Sequence, residues 1–270
     1  MVMGVLNVTP DSFFDGGRYP SGADAIAHGR AMFADGAAMV DVGGESSRPR
    51  AAPVGEDEEL RRVIPVIEAL APLGPVSVDT VKPGVARAAV AAGAVLVNDV
   101  SGTLWPVAAE CGVGWVAMHR QGTPADMQAD PRYDDVVAEV RRHVLDLAER
   151  ARSAGVGEIW LDPGIGFGKT VAHNLALLAN VGGLVATAEA IGARVLVGTS
   201  NKWFLGEIGS AGAEPLPPEE RAEGSLASST WAMAEGVQMV RVHDVVASVR
   251  AARLVGPVGR REVEREGVSR

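Results

Sequence analysis

Short runs of apolar and β-branched residues recur along the chain, each followed by a longer stretch in which apolar residues fall three or four positions apart. Runs of the first kind cover residues 2–7, 38–43, 76–79, 95–98, 114–119, 158–162, 194–198 and 237–243. They are almost continuously apolar, as strands covered on both faces are. Residues 23–34, 57–70, 83–91, 133–154 and 170–188 carry the helical spacing. The run Pro217-Pro218-Glu219-Glu220 reads as a helix start, with proline in the first turn and acids at the positive end of the dipole. A last helix is expected from about residue 245 to 254. Strands alternating with helices in this way predict an α/β fold, and eight such units predict a closed (β/α)8 TIM barrel, with an open doubly wound sheet as the rival. No boundary for a second domain is visible. Residues 1–256 are expected to form the barrel and residues 257–270 a charged, flexible tail.

Polar residues stand where the strands end: Asn7, Asp41 with Glu45, Asp79, Asn98, His119, Asp162, Ser200, and Arg241 with His243. In a barrel all these ends open on one face, which predicts a single concave polar pocket. Asp79, Asn98 and Asp162 suit a planar heterocycle rich in N–H donors, such as an aminopyrimidinone, because a carboxylate accepts two hydrogen bonds side by side. Asn7, Arg48, Arg241 and His243 form a set that can gather phosphate oxygens. The glycine-rich run from Asp162 to Lys169 has neither Walker nor dinucleotide spacing, and by pattern alone is a tight turn after a strand.

Composition narrows the classes. Hydrophobic residues make up 47%, enough for a sizeable core. The formal net charge of −9 argues against sequence-independent nucleic-acid binding, and cations at the mouth of so acidic a chain point to an anionic substrate. No apolar run reaches the roughly 18 residues of a membrane span. The opening MVMGVLNVTPDSF has no basic stretch or small-residue cleavage site, so a cytoplasmic location is expected. Cys111 has no cysteine to pair with. His119, His143, His173 and His243 lack zinc-site spacing, and for His119 a hydrogen-bonded structural role is expected.

Several segments, in order, resemble the signatures of the dihydropteroate synthase family. They are residues 4–13 (GVLNVTPDSF) with 15–17 (DGG), 41–49 (DVGGESSRP), 77–80 (SVDT), 98–102 (NDVSG), Met118-His119 with 122–124 (GTP), 162–169 (DPGIGFGK) and 241–244 (RVHD). The resemblance runs from residue 2 to about 254. It implies condensation of 6-hydroxymethyl-7,8-dihydropterin diphosphate with 4-aminobenzoate, giving 7,8-dihydropteroate and diphosphate in folate biosynthesis. It implies that Asp79, Asn98, Asp162 and Lys202 hold the pterin, and that Asn7, Arg241 and His243 hold the diphosphate, with Asn7 also at Mg2+. Ser47, Arg48, Pro49, Phe167 and Ser200 would form the 4-aminobenzoate side. Asp79, Asp162, Lys202, Arg241 and His243 would carry catalysis, and a loop with Thr9, Asp11, Phe13 and Asp15 would close over the site. A homodimer is implied as well. The family's usual Ser-Arg-Lys, followed by a small or polar residue, reads here Ser200-Asn201-Lys202-Trp203, and the glycine expected after Arg48-Pro49 is Arg50. These departures lie on the second-substrate side, which leaves two further readings: a pterin-binding paralog that lacks the activity or uses another acceptor, and a pterin-dependent methyltransferase module, against which Arg241 and His243 count.

Overall fold

The computed structural model describes residues 1–9, 22–45, 53–123, 126–210, 212 and 214–259, with side chains to residue 255. Eight strands pair in parallel, each with the next, and the eighth closes on the first: β1 (Val2–Asn7), β2 (Met39–Gly43), β3 (Val76–Asp79), β4 (Leu96–Asp99), β5 (Gly114–Met118), β6 (Ile159–Asp162), β7 (Arg194–Val197) and β8 (Met239–Val242). The expected barrel is therefore present and the open sheet is excluded. The strand ends differ from expectation by a residue or two, mostly by trimming.

The expected helices are present as α1 (Gly22–Ala34), α2 (Glu56–Leu70), α3 (Pro83–Ala91), α5 (Val136–Ser153) and α10 (Val245–Gly259). The tail expected from residue 257 lies outside the described residues from 260 on. Asp135 caps α5, its carboxylate accepting from the Ala138 N–H at 3.0 Å. The stretch expected as one helix over 170–188 is two, α6 (Val171–Ala179) and α7 (Val181–Ala190), bent by 54°. Asn180 sits at the break, its side-chain amide donating to the Ala176 carbonyl at 2.8 Å, and Gly182 and Gly183 follow. Three helical pieces lie between these: α4 (Trp105–Cys111), α8 (Trp203–Gly209) and α9 (Ala222–Ala234). The helix start expected at Pro217 is a single 3-10 turn, Pro218–Glu220, ahead of α9.

Inside the barrel, Met3, Met39, Leu96, Val116, Trp160, Leu196 and Met239 form an apolar plug distinct from the outer core between strands and helices. Side chains alternate along a strand with a period of two. Two residues beyond the plug, the inward positions are Val5, Asp41, Asn98, Met118, Asp162, Gly198 and Arg241. A further step on reaches Asn7, Gly43 and His243, while Ser77 and Asp79 occupy the inward positions of β3. The barrel is thus apolar at its base and polar toward the carboxyl ends of its strands. Among the described residues no single helix is long and apolar enough to cross a membrane.

Candidate active site

Asp41 is the deepest charged group at the mouth and is fully buried. Its carboxylate accepts from Arg241 Nε at 2.6 Å and from Asn98 Nδ2 at 2.8 Å. The Arg241 guanidinium also donates to Asp79 Oδ2 at 2.8 Å. Arg241, expected beside the diphosphate, is therefore tied inward to two carboxylates. One network joins β2, β3, β4 and β8. A second oxygen of Asp41, the amide oxygen of Asn98 and the hydroxyl of Ser77 are buried without a partner.

Above this network a narrow cavity is bounded by Asp79, Asn98, Asp162, Lys202 and Arg241, with Val5, Met118, Ile165 and Phe167 as apolar walls. All four residues expected at the pterin are thus brought together. Asp162 ends β6, and one of its oxygens accepts from the Gly164 N–H at 2.7 Å. Lys202 reaches in from the end of the β7 loop, its ammonium 3.7 Å from the centre of the Phe167 ring. Burial pushes the Asp79 carboxyl up to about 7, reinforced by Asp41 and Glu59 and opposed by Arg241. Burial also raises Asp162, and lowers the Lys202 ammonium to about 8 against the pull of Asp162 and Asp79. Arg241 stays charged, its carboxylate neighbours outweighing its burial.

A second cavity opens outward from the first and shares Phe167, Lys202, Arg241 and His243 with it. Asn7, Met127, Trp203 and Arg221 complete its walls. Asn7 ends β1 opposite Gly43. A methyl group built on Gly43 would stand 3.4 Å from the Asp79 side chain and 3.6 Å from Asn7 Oδ1, so the three crowd together. Ser200, expected at the aminobenzoate, is engaged by His243: its hydroxyl lies 2.9 Å from Nδ1 and accepts from the His243 backbone N–H at 3.2 Å. Asn201 has φ of 58°, a left-handed conformation that asparagine tolerates better than most residues. Its carbonyl takes a hydrogen bond from Arg221 at 3.0 Å. Trp203 packs against the core and lines the outer cavity, with its indole N–H buried and without an acceptor. Ser47, Arg48 and Pro49, Arg50, and the loop residues Asp11, Phe13 and Asp15 lie outside the described residues.

His119 stands behind the site. Its Nδ1 is 3.0 Å from Lys169 Nζ, and burial with two neighbouring bases lowers it to about 3. It is neutral and structural, as expected. Among the described residues no group of three or more His, Cys, Asp or Glu is placed to hold a metal ion. Asp41 and Lys169 were assigned no role from sequence. Asp41 carried a signal, two residues on from Met39 in the inward register of β2. Lys169 closes the 162–169 signature, but its burial and its contact with His119 at the end of β5 follow only from the folded neighbourhood.

A closed barrel with a polar mouth of this kind defines the class of α/β barrels whose sites lie at the carboxyl ends of their strands. The family of pterin binding enzymes matches residues 3–243. The dihydropteroate synthase of Escherichia coli K12 is 45% identical over 262 residues, covering 94% of this chain and 90% of that protein. The Yersinia pestis dihydropteroate synthase, solved with a sulfonamide drug complex, superposes with a TM-score of 0.87 at 42% identity, covering 95% of this chain and 93% of that one. The Xanthomonas albilineans enzyme with 4-aminobenzoic acid gives 0.85 at 44%, covering 95% and 92%. The chain belongs to the pterin binding enzymes and, within them, to the dihydropteroate synthases, transferases of folate synthesis.

Proposed function

We propose that this chain joins a 7,8-dihydropterin, activated as its 6-hydroxymethyl diphosphate, to 4-aminobenzoate, forming a C–N bond and releasing diphosphate. The observation that carries this reading is the inner cavity: Asp79, Asn98 and Asp162 present acceptors around a slot with Lys202 and Arg241 at its rim. The buried amide oxygen of Asn98 has no partner within the protein, and an N–H-rich ring supplies donors for such atoms. The outer cavity leads off the slot between Phe167 and Trp203, a place for the arylamine. It also reaches Asn7 and His243, a place for the diphosphate.

The reaction on this reading is substitution at the pterin methylene. Asp79 and Asp162 orient the ring, and their negative charge steadies the cation that develops as the C–O bond breaks. Lys202, Arg241 and His243 draw the departing oxygens. The aminobenzoate nitrogen then attacks the methylene and loses its proton, and no protein nucleophile takes part. Asn7 offers one amide oxygen, a donor set that suits Mg2+ arriving with the diphosphate, since that ion keeps waters and takes few protein ligands. When bound, Mg2+ would neutralise charge on the leaving group. A homodimer in the cytoplasm belongs to the same proposal; exposed Trp231 and Leu254 offer apolar area for a second copy.

Titration calorimetry with the pterin diphosphate tests the ring site. Asp162→Asn turns one acceptor into a donor inside a buried slot and should weaken binding by about 1–3 kcal/mol, roughly five- to 150-fold. Equal affinity in parent and variant would place the pterin elsewhere.

A further inference from the structure

We propose that Lys169 is a positioning residue for the pterin side of the reaction, an internal amino group that holds residues 162–169 in the form that aims Asp162 and Phe167 into the ring cavity. The inference deepens the proposed function and rests on it. Lys169 is 0% exposed and among the largest fully buried side chains. A lysine is almost never fully buried without partners, and burial lowers this amine to about 7 against the pull of Asp162. Here the amine donates to the Gly164 carbonyl at 2.9 Å and to the Phe167 carbonyl at 3.0 Å, and lies 3.0 Å from His119 Nδ1. The side chain thus folds back over the loop that precedes it and pins that loop to the end of β5.

The loop depends on donors from outside itself. Gly164, Gly166 and Gly168 all have φ between 62° and 83°. These turns bring the chain so close to the β5 exit that a methyl group at Gly164 would lie 1.8 Å from the His119 carbonyl oxygen, and one at Gly168 2.3 Å from that of Gln121. Tyr133 donates to the Gly168 carbonyl at 2.7 Å, and the Gly166 N–H donates to Asn174 at 2.7 Å. With the Gly164 carbonyl held by Lys169, the Gly164 N–H faces Asp162 and fixes one carboxylate oxygen. With the Phe167 carbonyl held, its ring lies under the Lys202 ammonium. One buried amino group therefore sets the orientation of two groups of the ring cavity, Asp162 and Phe167, without touching any ligand.

Lys169→Met roughly keeps the length of the side chain and removes its donors, leaving the Gly164 and Phe167 carbonyls without them. The full chain, parent and variant, would be titrated with the pterin diphosphate and assayed for the KM of both substrates and for kcat. We expect a cooperative melt, somewhat below the parent's, a pterin Kd and both KM values raised roughly tenfold or more, and a kcat that falls by less than the KM values rise. Lys169→Gln restores two donors and should recover part of the pterin affinity, which a loss of packing alone would not. Parent-like affinity in Lys169→Met, or a stability loss with unchanged KM values, overturns the inference. Should Lys169→Met fail to fold, His119→Leu decides: it removes one acceptor and should weaken pterin binding several-fold, and parent-like affinity there overturns it too. A parent that does not bind the pterin diphosphate overturns the functional reading, and this inference with it. A parent that binds, alongside variants that bind equally, overturns this one alone.

Discussion

Trp203 opens α8 with its ring in the wall of the outer cavity, where the family's usual residue is small or polar. Its N–H is buried without an acceptor, so the ring offers the cavity carbon and no donor. Trp203→Ser should therefore lower the KM for 4-aminobenzoate several-fold and leave pterin affinity unchanged, since the ring slot does not include Trp203. An unaltered KM would mean that the acceptor's carboxylate sits away from α8. Asp79 and Lys202 set a second expectation at this scale. Asp79 accepts ring N–H groups when ionised, and burial holds its carboxyl at about 7, so its acceptor form appears as pH rises through that value. The Lys202 ammonium is lost as pH rises through about 8. The kcat/KM for the pterin diphosphate, which reports groups of the free enzyme, should rise through about 7 and fall through about 8. Asp79→Asn should remove the acid limb while the basic limb stays. A flat profile in the parent would contradict both assignments.

At the scale of elements, the strands were readable because a strand covered on both faces has little choice but a short apolar run, and their polar ends marked the mouth before any coordinates. The missing pieces have physical reasons. α4 has seven residues, about two turns, with proline at its start, too brief to show periodicity. The break at Asn180 depends on one side chain competing for a backbone carbonyl. The inward tie of Arg241 depends on the order of the strands: 200 residues separate it from Asp41, yet only β1 lies between β8 and β2 across the closure. Lys82, just after β3, shows how such ties hold the mouth. It pairs with Glu45 beyond β2 and with fully buried Glu59 on α2, while Arg62 donates to the Gly44 carbonyl at 2.9 Å. Lys82→Ala leaves Glu59 charged and uncompensated in the core, which should cost about 3–5 kcal/mol in urea unfolding. Adding Glu59→Gln should return much of that loss. A cost below about 1 kcal/mol for Lys82→Ala would show that the pair is solvated in solution.

For the molecule as a whole, closure of the barrel is what turns scattered strand ends into one site. Asn7, Asp41, Asp79, Asn98, Asp162, Arg241 and His243 come from six strands or their exits, and only a ring of strands brings all of them to one mouth. The interior is divided by depth: an apolar plug at the base, a charged network above it, then a ring slot, then an outer cavity. That layering buries the carboxylates enough to raise Asp79 and Asp162, a cost that a bound heterocycle can offset through its N–H donors. On the proposed function this site performs the condensation as well as binding a pterin. The direct measurement is to incubate the purified chain with 6-hydroxymethyl-7,8-dihydropterin diphosphate, 4-aminobenzoate and Mg2+, and to follow diphosphate and 7,8-dihydropteroate together. Equimolar appearance of the two, dependent on both substrates and lost in Asp162→Asn, is the predicted result. Pterin binding by calorimetry with no dihydropteroate formed would contradict it, leaving a pterin-binding protein that uses another acceptor or none.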